Sequence, residues 1–148
     1  MSSSGLVQLG LIFRDEFGNV LASAIKCIFG LWTSDISEAL AMAFGLRLAM
    51  ELSFPHIIAK SYRQLLIGLF QAKETPYSPL GYVLQDCFEW SHLLNRCSWS
   101  FTKRSGNYVA HALAKLDDFS SAEQEYFWIE DIPNAVSAVL ALDVSLLQ

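Results

Sequence analysis

The chain is short of charge, short of cysteine and free of long apolar runs, and each shortage excludes a class of protein. Only 17% of its 148 residues are charged while 53% are hydrophobic, a balance more apolar than that of an average soluble domain. Its 10 Lys and Arg are outnumbered by 15 Asp and Glu, for a net charge of −5. That is the wrong sign for a protein that grips phosphates by bulk electrostatics, so any contact with nucleic acid has to be local. The three cysteines, Cys27, Cys87 and Cys97, are odd in number and fall outside paired metal-ligand spacings, which argues against a disulfide framework or a zinc site. Buried free thiols are the expectation. Arg47 interrupts the apolar stretch from Ala39 to Met50 and Asp143 interrupts the last one, so nothing approaches the roughly 20 residues that span a bilayer. The start, Met1-Ser2-Ser3-Ser4-Gly5, lacks the basic segment and apolar core of a secretory signal. A soluble, intracellular chain of cytoplasm or nucleus follows as the expectation, with no membrane partner.

What the sequence does contain is clear periodicity. Leu6–Phe13 and Val20–Ile28 are apolar runs with a β-branched and aromatic bias on either side of Asp15-Glu16-Phe17-Gly18-Asn19. That pattern predicts a β-hairpin whose turn uses Gly18 and Asn19 at positive φ, with Asp15 and Glu16 as turn residues rather than catalysts. From Ser34 to Leu52, Ile36, Ala39, Leu40, Ala43, Leu46, Ala49 and Met50 recur at three- and four-residue steps. An amphipathic helix follows, capped by Thr33 or Ser34 and closed by Pro55. His56–Ala59 reads as a short buried strand, with helices expected at about 63–71 and 80–95 around a proline-rich loop at 75–79. Ser98–Phe101 reads as a half-buried strand, and a further helix is expected at about 108–116. Helices separating the later strands predict an α/β domain with a mixed sheet, in which Leu6–Phe13 pairs antiparallel with Val20–Ile28 and Ile57–Ala59 runs parallel to Trp99–Thr102. The aromatic stretch near Tyr126-Phe127-Trp128 closes a unit of residues 1–133, leaving 134–148 as a C-terminal apolar tail.

Two segments carry a resemblance. Ser37-Glu38-Ala39-Leu40 in the first helix, followed downstream by Asn107-Tyr108-Val109-Ala110-His111-Ala112-Leu113-Ala114-Lys115, resembles signature segments of the ribonuclease H family, in its plant-type branch. The resemblance runs from Leu6 to Pro133. It implies a ribonuclease H-like mixed sheet flanked by helices and, as activity, cleavage of RNA–DNA hybrids by two divalent ions held on clustered carboxylates. The family draws one Asp from its first strand, a Glu from the first helix, an Asp from the end of the following parallel strand and an Asp from the last helix.

Carried over residue by residue, that pattern leaves one carboxylate. The Glu is Glu38. The strand-end segment, usually Glu-Ser-Asp-Ser-like, aligns with Lys60-Ser61-Tyr62-Arg63, so Tyr62 takes a metal ligand's place. In the last helix His111 stands where the Asp belongs. The first-strand Asp has no candidate, and the chain is expected to lack that first, central strand. Magnesium would be the family cofactor; one carboxylate and one imidazole make a poor site for an ion that prefers several oxygen ligands, so no metal site is expected to assemble. Plainer readings exist for both residues. Glu38 suits a helix N-terminus as an anion, and His111 lies one turn after Asn107. Asp35, one turn before Glu38, is the remaining carboxylate within reach.

The expectation is therefore a catalytically inactive ribonuclease H-like domain with residual, weak nucleic-acid binding. Its basic patch is Lys103, Arg104 and Lys115 with Asn107, in a stretch from Ser98 to Lys115 that holds no Asp or Glu. Trp99 or Tyr108 would supply a stacking surface. Two alternatives stand beside it: an active RNA–DNA hybrid ribonuclease, and a protein-interaction domain or truncated gene product that meets a protein partner through its apolar surface.

Overall fold

The computed structural model describes residues 6–15, 17–30, 33–54, 56–103, 112 and 125–129. They fall in two compact units, residues 1–31 with 108–148, and residues 32–107.

In the first unit, β1 (Leu6–Arg14) and β2 (Val20–Phe29) form the expected antiparallel hairpin, in register from Leu6 opposite Phe29 to Phe13 opposite Ala22. The turn is built on Asp15, whose carboxylate accepts from the backbone N–H groups of Phe17 and Asn19 at 2.9 Å and from Asn19 Nδ2 at 3.0 Å. Those donors, the Asn19 side chain first, hold the Asp15 carboxyl below its ordinary value of 3.8. Only one of the two expected positive φ angles is present. Gly18 adopts φ 84°, whereas Asn19 is committed to Asp15 through both its amides. A third strand, β5 (Glu125–Ile129), pairs antiparallel with β2, with Lys26 opposite Glu125 and an ion pair of 3.4 Å between them. The strand order is β1-β2-β5, and Ala22, Ser23, Ala24 and Ile25 in the central strand are each at most 2% exposed. Successive side chains of a strand point to opposite faces, so β2 is buried on both.

In the second unit, α1 (Ser34–Glu51) starts at Thr33, whose Oγ1 accepts from Ile36 N at 3.3 Å. The helix differs from the amphipathic one expected. From Asp35 to Met50 none of its residues is exposed. Its apolar residues are spread around the axis and not gathered on a single stripe. It ends with Ser53 in the left-handed conformation (φ 61°), Ser53 N donating to Met50 O and Phe54 N to Ala49 O. This is the double bond pattern by which helices satisfy their last carbonyls; Pro55, expected to close the helix, lies outside the described residues.

β3 (His56–Ser61), α2 (Gln64–Ala72), α3 (Pro79–His92) and β4 (Arg96–Phe101) complete this unit. β3 and β4 pair in parallel, from His56 opposite Arg96 to Ser61 opposite Phe101, as the sequence predicts, although β4 begins two residues earlier than its aromatic alternation suggests. One face of this pair is covered. Trp99 stacks on Phe70 of α2 with ring centres 4.1 Å apart and planes at 7°, and Phe88 of α3 meets both rings edge-on. Gln71 Nε2 donates to Trp99 O at 2.9 Å, tying α2 to β4. Phe70, Leu66, Ile67, Leu84 and Cys87 are each at most 2% exposed. The helix expected at about 108–116 lies outside the described residues, apart from residue 112.

Candidate functional site

The end of β3 runs directly into α2, and there several polar side chains meet around one buried hydroxyl. Ser61 is 1% exposed. Its hydroxyl donates to Glu38 Oε2 at 3.5 Å and accepts from Arg63 N at 3.1 Å. The Arg63 guanidinium lies over the Tyr62 ring, 5.4 Å from its centre, and donates through Nη1 to Asp35 Oδ1 at 3.5 Å. Asp35 and Glu38 are three residues apart and so share a face of α1. Both carboxylates of the helix start are thus tied to the end of β3, one by a hydroxyl and one by a guanidinium. Both contacts are at the long end of hydrogen-bond range. Arg63 Nε is buried with no hydrogen-bond partner, a cost of about 1–3 kcal/mol by general experience with stranded donors.

The expected site residues sort into three groups. Glu38 and the strand-end segment carrying Tyr62 do come together, through Ser61. Asp35, the reserve ligand of the sequence reading, is instead paired with Arg63. Lys103 is exposed just beyond β4, while Arg104, Asn107, His111 and Lys115 lie outside the described residues. Sequence reasoning passed over Ser61 and Arg63. Arg63 pairs across 28 residues of chain, a separation no periodicity encodes; the signal was a cation inside a segment aligned with acids.

The rest of the described surface offers less chemistry. No group of three or more His, Cys, Asp and Glu side chains is gathered as a metal cage among the described residues. Burial pushes the Cys87 thiol up to about 12 and that of Cys97 up to about 11, and raises Cys27. The thiolate is the nucleophile, so these thiols are held in their inert form. An open notch of about 400 Å³ is lined by Thr75, Pro76, Tyr77, Pro79, Tyr82 and Gln85, among others, without a charged group. No helix among the described residues is long and apolar enough to cross a membrane.

An antiparallel hairpin, a long helix and a parallel strand pair joined through two further helices define the class: a ribonuclease H-like fold. The structure is similar to that of ribonuclease H1 from the halophilic archaeon Halobacterium salinarum, with a TM-score of 0.70 and 21% identity over 77% of this chain and 87% of that one. It is also similar to the N-terminal ribonuclease H domain of a Mycobacterium tuberculosis protein solved as a fusion with maltose-binding protein, with a TM-score of 0.57 and 14% identity over 74% of this chain and 95% of that one. No curated protein sequence matches the chain. The family is given by sequence: residues 2–117 match the reverse transcriptase-like family model, and the chain belongs to that family.

Proposed function

We propose that this chain is a non-catalytic ribonuclease H-like domain that binds nucleic acid weakly through local basic groups. The observation that carries the reading is the pairing at the end of β3. Where the family resemblance calls for a strand-end carboxylate there is Tyr62, and the next residue, Arg63, brings a permanent positive charge that occupies Asp35. The donor set does not fit two magnesium ions, which need several oxygen ligands and a net negative cradle. Glu38 supplies one carboxylate and Ser61 a hydroxyl already engaged with it. His111 adds an imidazole, a ligand magnesium disfavours.

Binding, by contrast, needs only a few cations. Lys103 and Arg104, with Asn107 and Lys115, form the patch, and three basic side chains give weak, salt-sensitive affinity through counterion release. Reversing Lys103 and Arg104 together abolishes that binding in this reading.

The test is cleavage of a labelled RNA–DNA hybrid by the purified full chain with magnesium or manganese. No product above background is expected, and Tyr62→Asp with His111→Asp still leaves activity poor. Measurable turnover by the unmodified chain, lost on Glu38→Gln, overturns the proposal.

A further inference from the structure

We infer that the open face of the β3–β4 pair is a second contact surface, built to hold the phosphate backbone of a single-stranded nucleic acid. The parallel register sets His56 beside Arg96, Ile58 beside Ser98 and Lys60 beside Ser100, and partners directly opposite one another in a sheet point to the same side. The alternate positions, including Ala59, Ser61 and Trp99, belong to the covered side. On the open side His56, Lys60, Arg96 and Ser98 are exposed, and Ile58 is 64% exposed. Among the described residues none of His56, Lys60 or Arg96 makes a side-chain hydrogen bond or ion pair.

Charge makes the face unusual for this molecule. The chain carries a net −5, yet β3 (HIIAKS) and β4 (RCSWSF) contain no Asp or Glu. Their exposed face presents two permanent cations, an imidazole and two hydroxyls around a single aliphatic side chain. Three basic groups elsewhere among the described residues are engaged, Lys26 with Glu125, Arg47 with Glu51 and Arg63 with Asp35, while Lys73 and Lys103 are exposed one at a time and not as a face. Unpaired cations and hydroxyls without acids complement phosphate.

Dimensions favour one strand over a duplex. The face is two strands wide, with about 4.8 Å between them, and His56 to Lys60 spans four steps, about 13 Å. That footprint matches a few phosphates of one backbone. Lys103, two residues past the end of β4, is exposed as well. The inference rests on the nucleic-acid reading of the proposed function but names different residues, so the two fail separately.

The experiment is fluorescence anisotropy of a labelled single-stranded oligouridine, and of an RNA–DNA hybrid of equal length, titrated with the full chain at low salt. Lys60→Glu with Arg96→Glu is expected to weaken single-strand binding by about tenfold or more, since two phosphate contacts are lost. Lys60→Gln with Arg96→Gln should give a smaller loss, and Lys73→Glu, an equal charge change on an exposed lysine off the sheet, should stay within about twofold. Thermal melting of each variant separates lost contacts from lost fold, and the Gln pair decides the matter if the Glu pair melts early. Single-strand binding that ignores both pairs, or preference for the hybrid that survives them, overturns this inference and leaves the proposed function standing. Failure of the unmodified chain to bind either probe overturns both.

Discussion

The two faces of the β3–β4 pair are made by alternate residues of the same twelve positions, yet they spend their side chains in opposite ways. On the covered face Trp99 stacks on Phe70, and Ser61 links Glu38 to the backbone of Arg63. On the open face His56, Lys60 and Arg96 are exposed, with no side-chain partner among the described residues. The contrast continues between two arginines. Arg63, at the end of the covered side, is held by Asp35 and lies over Tyr62; Arg96, on the open side, has no such partner. Charge on one side is used up in holding the fold together, and charge on the other is left for something outside it. In a chain whose net charge is negative, only the second kind can attract a polyanion.

Neighbouring residues of β4 give the sharpest way to break this comparison. Trp99→Ala removes the stacked ring from between α2 and α3 and should cost about 3 kcal/mol, in the range of large-to-small core changes. Ser98→Ala, one residue earlier on the open face, should stay within about 0.5 kcal/mol. Chemical denaturation of both variants checks this, and equal losses would erase the distinction between the faces.

A smaller effect separates the arginines. Arg63→Ala should lower stability by about 1 kcal/mol or less, because the pair with Asp35 is roughly a third exposed on each side and screened accordingly. Arg96→Ala should leave stability unchanged. In anisotropy titrations the order inverts, Arg96→Ala weakening the complex and Arg63→Ala sparing it. If Arg63→Ala weakens binding more than Arg96→Ala, the division between structural and available charge is wrong.

The smallest effect lies in the other unit and provides a reference for a charge that serves only local structure. Asp15 has its carboxyl pKa lowered by the turn that it organises. Its contribution is therefore present above the ordinary value of 3.8 and is lost as pH falls through the depressed folded value. Amide resonances of Phe17 and Asn19 should shift in that acid range, with no change in nucleic-acid affinity attributable to Asp15→Asn at neutral pH.

Much of this architecture is legible in the sequence because it is local. The hairpin follows from two apolar runs around a Gly turn, and the parallel pair from apolar and alternating segments separated by helices. What escaped was set by distance along the chain. β5 read only as an aromatic stretch closing its unit, since nothing within Glu125–Ile129 says that it will pair with β2, far earlier in the chain. The two residues by which β4 starts ahead of its aromatic alternation hid the basic face, because they include Arg96 and its place beside His56. At the site, Glu38 was readable from its helix motif. The Arg63–Asp35 pair was not, since it exists only once α1 and the end of β3 are brought together.

The central claim is that the cluster around Glu38 is a network of paired side chains and not a cradle for metal ions. Calorimetric titration of the full chain with manganese, alongside Glu38→Gln, tests it most directly. The account predicts no saturable uptake through the millimolar range and identical traces for the two proteins. Saturable binding by the unmodified chain that disappears in Glu38→Gln would contradict it.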